Sequence, residues 1–173
     1  MIRVPKAEEL TPYYQSYLKY IPADTDLISL LKEQAQSTQK FLSAIPQAKE
    51  TFAYADGKWM LKEVVGHFCD TERILSYRAL CFSRNDKTPL PGFDENTYTP
   101  GSNYRSRSLK NIAEEFATIR QATISLFSNM SDEMFDHKGI ANKNEYSVAA
   151  LLFFIIAHEI HHLGVIRERY LRN

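Results

Sequence analysis

The chain is short of the features that would place it outside the ordinary soluble class. Two cysteines in 173 residues, Cys69 and Cys81, are too few for a disulfide framework. The opening stretch MIRVPKAEELTPYY has no apolar core of the signal-peptide kind, so a reducing cytoplasm is the expected setting. No charge of one sign dominates: 21 basic and 21 acidic side chains cancel, with a pI near 7.0. That balance lacks the basic footprint of a nucleic-acid binder. No apolar run is long enough to span a bilayer, since VAALLFFIIA at 148–157 is about half the required length. Strict apolar–polar alternation, the mark of a half-buried strand, is missing as well.

What remains is an ordinary globular composition, 44% hydrophobic and 24% charged, of a size that suits one domain over 1–173. Four segments carry helical periodicity. The first starts at Asp24 or Asp26 and stops before Pro46; Leu27, Leu30, Leu31, Phe41, Leu42 and Ile45 mark its face, interrupted by a polar middle turn. The second runs from about Trp59 to about Arg84. The third follows Ser108, with Leu109, Ile112, Phe116, Ile119 and Phe127 at helical spacings. The fourth begins at a Ser147 cap and continues to about Tyr170. This pattern predicts an all-α, four-helix bundle. Residues 1–23, with Tyr13, Tyr14, Tyr17 and Tyr20, read as an arm laid over it. A long Pro- and Gly-rich loop joins helices two and three, and loops of that length are usually functional or disordered. The connection before Ser147 has room for a short helical turn.

The chemistry concentrates in AHEIHHLGVIRERYL at 157–171. His158 and His162 lie about 40° apart on one helical face, together with Leu151, Phe154, Ile155 and Val165. Two core-facing imidazoles are costly to bury unless something satisfies their nitrogens. His67 shares the inward face of the second helix with Met60, Val64, Thr71 and Ile74, so three histidines face the core from two helices. By spacing alone they read as metal ligands or as hydrogen-bonded core histidines. His158, Glu159 and His162 also spell the zinc-peptidase pattern, but its continuation is missing. Only 11 residues follow His162, too few for a later helix carrying a third glutamate ligand. Gly164 falls one place early for the longer three-histidine version, whose last position is Glu168. Glu159 therefore receives no peptidase role. Three histidines without a fourth protein ligand would leave open coordination positions, as catalytic sites do. Cys69 does not close the set, since it lies about 200° around the helix from His67 and reads as a small buried hydrophobe. Asp70 and Glu63 flank His67 and could orient it or a bound water. The fourth helix is apolar nearly all round, with Phe153, Ile156 and Ile160 away from the histidines. Either the arm or a second subunit must cover that side, and the expectation leans slightly to a homodimer.

WMLKEVVGHFCDTE, the loop with PGFDENTY, and YSVAALLFFIIAHEIHHLGVI together resemble the DinB-like superfamily, and within it the YfiT branch of bacillithiol S-transferase type. The resemblance covers roughly residues 24 to 171. It implies an up-down-down-up bundle holding one divalent ion, zinc or else nickel, iron, cobalt or manganese. The ligands carried over by position are His67, His158 and His162. His161 is not among the three, and Val165 stands where relatives often carry glutamine. The activity implied is transfer of a low-molecular-weight thiol to an electrophilic small molecule. Hydrolysis by an ion-activated water and a non-catalytic metal-binding scaffold are the alternatives. In such a protein Asp70 would serve the reaction, and Asp94, Tyr98 and Arg105 of the loop would meet the substrate.

Overall fold

In the computed structural model, which describes residues 1–172, each long helix opens where a side chain satisfies the unpaired N–H groups of its first turn. After a short α1 (Pro12–Gln15), α2 (Leu27–Ser43) is capped by Asp26, which accepts from the Ser29 amide at 3.2 Å. Glu63 of α3 (Leu61–Ser83) reaches back to the Met60 amide at 2.8 Å. A second short helix, α4 (Glu95–Gly101), precedes α5 (Leu109–Ser128), capped by Ser108. Ser147 caps α6 (Val148–Val165), which relaxes into a wider π-helical turn over Ile166–Tyr170. The four long elements fall within two residues of the expected ends. Trp59 lies just outside α3, where its ring packs on His67 at 5.2 Å.

Two apolar clusters give the helix directions. Leu27 and Leu31 of α2, Ala79 and Phe82 of α3, Phe127 of α5 and Leu151 of α6 meet at one end. Leu42, Leu61, Leu109 and Leu163 of the same four helices meet at the other. Hence α2 and α6 run one way and α3 and α5 the other, which is the up-down-down-up order. This order explains the long connection. Because α3 and α5 run in parallel, residues 84–108 must return along a 23-residue helix, about 34 Å at 1.5 Å per residue.

Between the clusters lies a buried polar layer with side chains from all four long helices. Arg120 of α5 donates to both carboxylate oxygens of Glu72 on α3, at 2.8 Å each, and to Glu159 of α6. Thr38 of α2 donates to the other oxygen of Glu159, and the Gln34 amide donates to the Ile156 carbonyl at 3.2 Å. The polar middle turn of the first helix is thus a core contact.

The last connection holds more than the expected helical turn at Asp132–Asp136. A hairpin follows, β1 (Lys138–Ala141) against β2 (Asn144–Ser147), turned by Asn142 and Lys143 at φ 47° and 64°. Two successive positive φ values mark a type I′ turn. Strands of four residues are too short for alternation to announce them. Leu90 pairs beside Ala141, which fastens the start of the crossover to the hairpin.

The arm docks on α6. Tyr14 stacks on Phe154 at 3.8 Å with the rings 7° apart, and the Ile2 amide donates to Asp26 at 2.8 Å. Phe153 and Ile156 are fully buried and Ile160 packs against the same core. One chain therefore buries residues 150–159 of α6 on every side, so the apolar run by itself does not require a second subunit. By length and composition the Val148–Tyr170 helix could cross a bilayer, but 67% of that span is inside the fold. Its apolarity belongs to the core.

Candidate metal centre

Helical spacing builds the site. His158 and His162 are one turn apart on α6, and α3 runs antiparallel beside it with His67 opposite. The three ring nitrogens converge: His158 Nε2 lies 3.1 Å from His67 Nε2 and 3.1 Å from His162 Nε2. All three ligand atoms fall within 4.8 Å of one another, and no other His, Cys, Asp or Glu of the described residues joins the cluster. Nitrogens bound tetrahedrally at about 2.05 Å would stand about 3.3 Å apart. Three imidazoles at this spacing fit one borderline divalent ion.

Electrostatics keeps the rings in the ligating form. Burial lowers His67 to about 4. Burial, then the charges of His67 and His161, lowers His162 to about 3. His158, the most enclosed, is pushed well down by burial and then by its three histidine neighbours. At neutral pH all three are neutral and carry a lone pair, as a metal ligand must. Thr71, one turn after His67, places Oγ1 3.4 Å from His67 Nδ1, at the edge of hydrogen-bonding reach. Phe154 flanks His158 at 5.4 Å and Phe68 flanks His162 at 5.7 Å.

The rings open on a cavity of about 440 Å³. The arm supplies Tyr13, Tyr14 and Tyr17 to its wall; the crossover supplies Phe93, Glu95 and Asn96; the hairpin region supplies Asn142 and Tyr146. His161 also lines it and holds the Tyr20 hydroxyl at 2.8 Å through Nδ1.

Other expected site residues stand elsewhere. Asp70 does not line the cavity; it accepts from the Tyr104 hydroxyl at 2.8 Å and so anchors the crossover to α3. Gly66 permits this approach, since a Cβ there would lie 2.3 Å from the Tyr104 ring. Asp94 caps α4 through the Asn96 amide. Tyr98 is 49% exposed and packs on Phe93 outside the cavity. The Arg105 side chain is 65% exposed and pairs with Glu63 at 2.7 Å. The crossover does wall the site, through neighbours of the residues expected. Glu159 faces away from the histidines into the Arg120 layer, so the peptidase spelling has no geometry behind it. Cys69 is fully buried, and burial pushes its thiol far up, which leaves it unreactive.

The sequence profile of the DinB superfamily matches residues 30–166. The chain belongs to the DinB superfamily. A curated relative from Oceanobacillus iheyensis, assigned provisionally to the metal-dependent hydrolases, is 27% identical over 118 residues. That match spans 66% of each chain, just under two thirds. Among solved structures, YfiT from Bacillus subtilis, provisionally a metal-dependent hydrolase with an unusual four-helix bundle topology, superposes with a TM-score of 0.71 at 17% identity. The superposition covers 86% of this chain and 90% of YfiT. The mycothiol-dependent maleylpyruvate isomerase superposes with a TM-score of 0.59 at 16% identity, over 81% of this chain and 60% of the isomerase. These two likenesses show the fold of the DinB bundle, and the four-helix order read from the two cores agrees with it.

Proposed function

We propose that this DinB protein is a metal-dependent transferase that joins a small cellular thiol to an electrophilic carbon of a second small molecule. One observation carries the reading: three neutral, convergent imidazoles open on an aromatic-walled cavity, with no bundle carboxylate free beside them. His67, His158 and His162 would hold one divalent ion. When bound, such an ion lowers the pKa of a thiol or a water entering its open position.

The remaining residues favour the thiol. Hydrolysis profits from a carboxylate beside the attacking water to take its proton. Glu159 is committed to Arg120 and Thr38, and Asp70 to Tyr104, which leaves Glu95 on the crossover as the cavity's acidic side chain. A free thiol, with a pKa near 8.5, needs far less help to ionise than water does. Tyr14, Tyr17, Phe93 and Phe154 exclude water and stack on an organic partner. That a thiol-dependent isomerase shares the fold supports the same choice.

The test supplies metal-loaded protein with monobromobimane, with and without bacillithiol, cysteine or glutathione. Adduct formation that needs the metal and disappears in His67→Ala supports thiol transfer. Metal-dependent cleavage of an ester or amide, with no adduct from any thiol, would move the protein to the hydrolases. Inactivity in both assays with metal bound would leave a scaffold.

A further inference from the structure

Two arginines lie deep in the bundle, and they differ in one respect. Arg120 is held by two carboxylates. Arg78 of α3 is only 6% exposed, yet none of the ion pairs among the described residues includes it. A guanidinium this enclosed is ordinarily paired. Its Nη2 donates to the Pro91 carbonyl at 2.8 Å, and the other N–H groups make no hydrogen bond among the described residues. They are not sealed in the core, because Arg78 lines the histidine cavity. Glu95 lines the same cavity without forming an ion pair with it.

Position and neighbours give Arg78 a direction. His67, Thr71 and Arg78 share one face of α3, with Arg78 eleven residues beyond His67, about 16 Å along the axis. Beside it, Tyr14 is buried and stacked on Phe154, but its hydroxyl makes no hydrogen bond among the described residues. The positive charge of Arg78 acts on the Tyr14 and Tyr146 phenols alike. A forked cation with no acidic partner and a phenolic O–H with no hydrogen bond, among the described residues, thus face one cavity from α3 and the arm.

We propose that Arg78, with the Tyr14 hydroxyl, is an anion-recognition subsite that takes a carboxylate of the small molecule whose reacting end lies at the three histidines. This rests on the proposed function for what occurs at the histidines. The guanidinium fork matches a carboxylate bidentately, and enclosure strengthens the pairing. The ligand then carries its carboxylate several bonds from the reacting atom. Either the thiol or its electrophilic partner could bring that group.

Calorimetric titration separates these sources. One arm compares 3-mercaptopropionate, 6-mercaptohexanoate and 8-mercaptooctanoate with their methyl esters; the other compares the corresponding bromo acids with theirs. Both are run on metal-free and metal-loaded full-length protein. The expected result is an acid bound at least tenfold more tightly than its ester at one chain length, in one arm or both. Arg78→Gln should shrink that ratio below about twofold while leaving ester affinity and metal content unchanged. Equal affinity for acid and ester in both arms would overturn the subsite, as would a preference that survives Arg78→Gln. If that variant does not fold, Arg78→Lys keeps the charge without the fork, and an undiminished preference there would equally overturn the assignment. Acid preference in metal-free protein, alongside no metal-dependent adduct, would keep the subsite and sink the proposed reaction.

Discussion

Replacing Arg120 with Met should destabilise the bundle as much as truncating a large apolar side chain near it, and the reason lies in what is left behind. Among the described residues Arg120 is the one cation paired with Glu72 and Glu159, which are 4% and 2% exposed. Its loss strands two carboxylates that cannot reach water. Removing one partner of a buried pair costs about 3–5 kcal/mol. For a chain of this size each kcal/mol moves Tm by about 2–4 °C, so the melting temperature should fall by roughly 6–20 °C near pH 7.5. The deficit should depend on pH, with a definite sign. Burial already raises Glu159 above the usual carboxylate range against the pull of Arg120. Without the cation the Glu159 carboxyl rises further. A carboxyl whose folded pKa exceeds its unfolded one loses stability as pH rises through that interval, so the gap to wild type narrows in acid. Thermal melts of both metal-free proteins at pH 7.5 and 5.5, followed by circular dichroism, measure this. A drop below about 3 °C at pH 7.5, or a gap that widens in acid, would refute the reasoning.

Gly66→Ala should cost about 1–3 kcal/mol, because its Cβ meets the Tyr104 ring at 2.3 Å and must displace the crossover; an unchanged urea midpoint would contradict that contact. Metal-free protein should lose stability as pH falls from about 6.5 toward 4. His67 near 4 and His162 near 3 are depressed below the unfolded value of 6.5, so their contribution is full above 6.5 and disappears through that window. A His67→Leu variant should show a shallower decline over the same window in urea titrations, and an equal one would contradict the shift. Sedimentation at micromolar concentration should give a monomer of 20.0 kDa, since the arm and the bundle already cover α6; a stable dimer would reopen that face.

The four helices were legible in the sequence because their apolar residues recur at helical spacing and three of them start at a capping side chain, signals that survive in isolation. The three histidines were legible for the same reason: their spacing set them on inward faces, whatever lay opposite. What the sequence hid was relational. The hairpin at Lys138–Ser147 is too short for periodicity and is held by Leu90 from a distant segment. Asp70 looked like a partner for His67 because it is three residues away, but its side chain turns to Tyr104, 34 residues on. Nothing in the sequence singled out Arg78. Its lack of an acid partner emerges when the arm and crossover close around it. Thr38 and Gln34 broke the first helix's pattern for a reason that sits on α6, over a hundred residues later.

The three-histidine centre is tested most directly by metal analysis of protein purified without a nickel column. Wild type should carry one divalent ion per chain after exposure to zinc, and His158→Ala should carry almost none while keeping its helical circular dichroism. His158 is the informative position because its Nε2 stands 3.1 Å from each of the other two. Full stoichiometry in a folded His158→Ala protein, or wild type that takes up no ion at all, would contradict the assignment.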